Sequence, residues 1–165
     1  MSELLNAKEY IRKLVNIAYI NVGIPLLFFI WVYLESSSEQ LIPLIGSEYK
    51  LTVFIPVLLI CLIIIILGVR KFKLQLLLCS ATDRLADKLI MYQKGVTIRY
   101  IGYSISALLI TIGFYLTDYH PFEVLFGIMI VLFSIHNPNA RRVANDLKLK
   151  KEDRIIMLEG RDIPK

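Results

Sequence analysis

The sequence predicts an all-α membrane protein. It reads as a four-helix transmembrane bundle with both termini in the cytoplasm, an amphipathic cytoplasmic segment between spans two and three, and a basic cytoplasmic tail. Three observations predict this. Of 165 residues, 56% are hydrophobic and the mean hydropathy is +0.62, too apolar for a soluble fold of this size to hide. The apolar residues gather in four runs of near-spanning length. The basic residues fall almost wholly on one side of those runs.

The runs cover residues 14–34, which hold IPLLFFIWVYL, residues 51–69, which hold VFIPVLLICLIIIILGV, residues 98–117, and residues 119–136. A helix needs about 20 apolar residues to cross roughly 30 Å of hydrocarbon. The first three runs meet that, and the fourth meets it only when its outer end is taken at Tyr119. The first run follows a basic stretch, as in a signal peptide. Its apolar length exceeds the roughly 7–15 residues of such a peptide, so it reads as a span.

Lys8, Arg12 and Lys13 precede the first run. Arg70, Lys71, Lys73, Arg84, Lys88, Lys94 and Arg99 lie between the second and third. Arg141, Arg142 and the remaining basic residues follow the fourth. Lys50 is the one cation in the other two loops, among Glu35, Glu39, Glu48, Asp118 and Glu123. The positive-inside rule therefore places both termini and the central segment in the cytoplasm, and loops 35–50 and 118–121 outside. The membrane expected is a bacterial cytoplasmic one.

The net charge of +5 then reads as attraction to an anionic inner leaflet, where each nearby cation contributes about 1 kcal/mol. Arg70, Lys71, Lys73, Arg141 and Arg142 are the expected lipid-headgroup contacts. Nucleic acid is not an expected partner, because no recognition motif accompanies the charge.

In the central segment, residues 70–95, Leu74, Leu77, Leu78, Ala81, Leu85, Leu89 and Tyr92 recur at helical spacing. An unbroken helix pointing into the cytoplasm would carry the chain about 35 Å from the membrane, with too short a link to return. Two geometries remain. The segment lies in the interface with its apolar face down, or the chain reverses near Cys79 and climbs back. Ser80 with Asp83 has the form of a helix N-cap and favours a break there. The stripe needs a covering surface in either case: lipid headgroups, the tail, or another protein.

The tail, residues 137–165, reads as one or two short helices. Asn137 followed by Pro138 resembles a helix start, Gly160 a stop, and the final RDIPK a frayed end. Within the spans, Gly102, Ser106, Gly113 and Thr117 form a small-residue face for helix contact, inside the bundle or between copies. Trp31, Tyr33, Tyr115 and Tyr119 suggest an outer aromatic belt, and Tyr92, Tyr100 and Tyr103 an inner one. Cys61 and Cys79 are expected to be reduced thiols.

The span cores hold no Asp, Glu, Lys, Arg or His, which argues against a proton-coupled path or a charged selectivity ring. Asp118, His120 and Glu123 form the one compact polar cluster, in TDYHPFE. They are metal-ligand and acid–base types. His120 followed by Pro121, with Glu123 in the first turn, equally describes a helix N-terminus, and that reading is the stronger. No Gly-rich phosphate loop, HExxH, GxSxG or CxxC motif occurs.

No catalytic residue, metal or cofactor is therefore assigned. The function expected is a non-catalytic subunit that self-assembles or anchors partner proteins at the cytoplasmic face. Its interaction surface would centre on Leu74, Leu78, Leu85 and Leu89 and on Gly102, Ser106 and Gly113. The alternatives are an oligomeric channel lined by Asn, Ser and Thr, and a small membrane enzyme using the outer cluster.

Overall fold

The computed structural model describes residues 6–38, 42–80, 82 and 84–163. Among these every regular element is a helix. In chain order they are α1 (Ala7–Ser37), a 3-10 turn (Ser47–Tyr49), α2 (Lys50–Ser80), α3 (Leu85–Thr117), α4 (Pro121–Ile135), α5 (Ala140–Asp146) and α6 (Lys151–Glu159). Pro25 and Pro56 both lie inside helices.

Three helical stretches, Ala7–Ser37, Ser47–Ser80 and Leu85–Thr117, are long and apolar enough to cross a membrane. The fourth run qualifies only when α4 and α5 are taken together. The reason is length. The 15 residues of α4 extend about 22 Å, short of the roughly 30 Å core. The helix starts at Pro121 and leaves Tyr119 and His120 outside it.

The chain falls into two compact units. One comprises Met1–Tyr19, Val69–Arg99 and Asn137–Lys165, and the other Ile20–Gly68 and Tyr100–His136. Every Lys and Arg except Lys50 belongs to the first, here the basic unit. The second is the apolar unit.

Aromatic stacking and close helix contacts hold the apolar unit together. Phe29 of α1 lies 3.9 Å from Phe126 of α4, nearly parallel, and 5.8 Å from Phe114 of α3. Phe54 of α2 meets Phe122 of α4 edge-on at 5.1 Å. The small-residue face of α3 is used here, inside the chain. Gly102 sits against Ile64 and Gly68 of α2, and Gly113 against the Phe122 ring. The buried hydroxyls of Ser106, Thr111 and Thr117 donate to carbonyls one turn earlier on α3, at Gly102, Ala107 and Gly113. Each of these hydroxyl protons is thereby satisfied within its own helix.

The basic unit has a core of its own. The C-terminal part of α2 and the N-terminal part of α3 run antiparallel. The Cys79 thiol donates to the Lys88 carbonyl at 3.4 Å, Phe72 meets Tyr92 edge-on at 5.7 Å, and Gly95 packs on Gln75 and Phe72. Of the two geometries for residues 70–95, this is the reversing hairpin. Ala81 and Asp83 of the expected break lie outside the described residues.

The tail departs from expectation at both ends. Helix α5 is capped by Asn139, whose side chain accepts from the Arg142 N–H at 2.8 Å, rather than by Asn137. Pro138 precedes that cap, so the first free N–H groups of the helix face Asn139. Gly160 closes α6 in the left-handed conformation, φ 69°, as a helix-ending glycine does. Residues 161–163 are not frayed. The Arg161 carbonyl accepts from the Ala7 N–H at 3.0 Å, Asp162 bridges Asn6, and Ile163 is buried. Pro164 and Lys165 lie outside the described residues.

Candidate functional site

The leucine stripe divides. Leu85, Leu89 and Tyr92 are buried within the basic unit, whereas Leu74, Leu77 and Leu78 are exposed, Leu77 by 68%. Two helices, α1 and α5, contact the α3 part of the stripe. The Tyr10 hydroxyl of α1 donates to the Leu89 carbonyl at 2.8 Å, and the Tyr92 hydroxyl donates to an Asp146 carboxylate oxygen on α5 at 2.9 Å. The tail and the N-terminal turn thus cover the α3 part of the stripe. Leu85 and Leu89 have no outward surface to offer, and Leu74 and Leu78 keep theirs.

The inner tyrosines are interior residues rather than a belt. Tyr92, Tyr100 and Tyr103 are buried. Tyr100 donates its hydroxyl to the His136 carbonyl at 2.9 Å, and Tyr103 meets Phe133 edge-on. A tyrosine at an interface keeps its polar end wet, and the Tyr92 and Tyr100 hydroxyls find their partners in the protein. Trp31 and Tyr33 are exposed, with Trp31 stacked on Tyr115.

Of the expected headgroup contacts, Arg70, Lys71, Lys73 and Arg141 are exposed and Arg142 is half-buried. Arg99 is buried, its guanidinium carbon 4.1 Å from the centre of the Phe72 ring. A cation held over a ring face in this way is a favourable pairing.

The Asp118, His120 and Glu123 cluster does not converge. His120 pairs with Glu123 at 2.7 Å, while Asp118 accepts from the Ser36 hydroxyl at 2.5 Å and its carbonyl accepts from the Lys50 ammonium at 3.1 Å. Asp118 sits in the left-handed region, φ 45°, as the residue that ends α3. Among the described residues no group of three His, Cys, Asp or Glu side chains could hold a metal. The Glu123 carboxylate, through its hydrogen bond and charge, raises the His120 imidazole above its ordinary value. The pair serves the first turn of α4. Cys61 and Cys79 are both buried free thiols.

Chemistry along the sequence gave no signal for the residues that organise the basic unit. Tyr10 and Asp146 stand in no motif, and only the fold brings each of them to α3. No protein-family model matches this chain, and no curated protein or solved structure matches it either.

Proposed function

We propose that this chain is a non-catalytic, multi-span subunit of a bacterial cytoplasmic membrane, with four crossings and both termini inside, that presents its basic unit as an assembly platform at the cytoplasmic face. The observation that carries this reading is the construction of that unit. Three separate chain segments come together as a hydrogen-bonded, packed body that holds nearly all the cations and still leaves Leu74, Leu77 and Leu78 uncovered. A tail needed only for anchoring would require no such core. Exposed leucines beside Arg70, Lys71 and Lys73 suit a surface that meets both anionic lipid and a protein.

The hydroxyls that a water-filled path would use are donated within α3 itself, which weakens the channel alternative. The division of Asp118 from the His120–Glu123 pair weakens the enzyme alternative. The test is the native mass of the complex extracted gently from its own membrane, with its protein components identified. Other copies of the chain or stoichiometric partner proteins are expected. A monomer without partners would overturn the reading.

A further inference from the structure

A cleft of about 430 Å³ opens in the basic unit, walled by the last turns of α2 and by the end of α5 with the residues that follow it. Lys73, Leu76 and Leu77 line one side, and Asp146, Leu147 and Lys148 the other. We propose that this cleft binds the anionic headgroup of a membrane phospholipid, its phosphate held between the Lys73 and Lys148 ammonium groups. The proposal rests on the reading that this unit faces the anionic leaflet, and it adds a defined site to a general attraction.

Several observations converge on it. The two lysines come from distant parts of the chain, so helix periodicity does not account for their meeting. Among the described residues, neither ammonium lies within ion-pair distance of a carboxylate. The Asp146 carboxylate in the same wall already accepts the Tyr92 hydroxyl, and two lysines against one aspartate leave the lining positive. Lys148 adopts a left-handed backbone, φ 47°, a conformation that costs a residue with a Cβ free energy and recurs at binding sites.

The remaining wall is chemically apt. Leu76, Leu77 and Leu147 offer apolar surface to a glycerol backbone and the first methylenes of a chain. Lys73 stands one turn beyond Val69, where the second apolar run ends. The volume falls within the roughly 300–1,000 Å³ of small-molecule sites. A lone phosphate would leave the leucines unused.

The experiment uses the full chain in mild detergent and reads bound lipid by native mass spectrometry, with phosphatidylglycerol against phosphatidylcholine. Lys73→Gln with Lys148→Gln is compared with Lys151→Gln plus Arg154→Gln, an equal loss of charge on α6 away from the cleft. All four residues are exposed, so both variants are expected to fold. The expected result is a preference for phosphatidylglycerol that falls about tenfold in the cleft variant and changes little in the other. Equal losses in the two variants would overturn the site while leaving the leaflet attraction standing. No preference in the unaltered chain would remove the attraction itself. Glycerol phosphate displacing the lipid at equal concentration would identify a soluble phosphate ligand and overturn the lipid proposal.

Discussion

The Tyr92 hydroxyl donates to the Asp146 carboxylate at 2.9 Å, tying the helical hairpin to the first helix of the tail. Tyr92 is fully buried, Asp146 is half-buried at the edge of the cleft, and the acceptor is a carboxylate oxygen. A hydrogen bond of this kind contributes about 1.5–3 kcal/mol. Tyr92→Phe should lower the stability of the basic unit by that order. The buried Cys79 thiol reports on it: in a Cys61→Ala background, maleimide labelling should accelerate in Tyr92→Phe. An unchanged rate would show that the bond does not hold the unit closed.

The leucines separate folding from association. Leu89→Asp places a charge in the core, a change that costs several kcal/mol when the charge is unpaired, and should expose Cys79 to maleimide. Leu78→Asp falls on an exposed face and should leave Cys79 protected while reducing the native mass of the extracted complex. The same outcome for both variants would contradict this division of the stripe.

The two glycines of α3 should respond differently to one added methyl group. A Cβ at Gly113 would meet the Phe122 ring at 2.6 Å, whereas one at Gly102 would find its nearest neighbour at 3.6 Å. Gly113→Ala forces the ring to shift, at a cost of about 1–3 kcal/mol. Gly102→Ala makes ordinary contacts and relieves a helix of a glycine, a gain of about 0.5–1 kcal/mol. Thermal unfolding in detergent should rank Gly102→Ala above the parent protein and Gly113→Ala below it.

These contrasts mark what could be read from residues alone. The apolar runs located the three long helices because lipid-length hydrophobic stretches have few other uses. The small-residue face of α3 was legible for the same kind of reason, since glycine and serine on one helix stripe allow close approach. The fate of the leucine stripe was not legible. Whether lipid, tail or partner covers Leu85 and Leu89 depends on contacts with Tyr10 and Asp146, which lie far away in sequence. The inner tyrosines misled because an aromatic at a span end suits a belt and a buried hydrogen bond equally well. The cap moved to Asn139 because Asn137 and Asn139 flank Pro138 with similar cues, and the choice is made by which side chain reaches the Arg142 N–H.

At the N-terminal end of α4, the His120–Glu123 pair gives a pH signature. The paired carboxylate raises the folded imidazole above its ordinary value, so protonated His120 favours the folded helix start. That contribution is present below the ordinary histidine value and fades as pH rises through the folded one. His120 is highly exposed, so the effect is local and screened by salt. Histidine NMR should show His120 titrating higher in the parent protein than in Glu123→Gln, and equal midpoints would remove the pair.

If α4 together with α5 completes a fourth crossing, as proposed, residues on either side of the pair face opposite compartments. Single cysteines at His120 and at Lys150, in a chain with Cys61 and Cys79 replaced, test it with a membrane-impermeant maleimide on intact cells. Labelling is expected at position 120 in intact cells and at position 150 only after the membrane is opened. Labelling of both positions in intact cells, or of neither, would place the two ends of α4 on one side and contradict it.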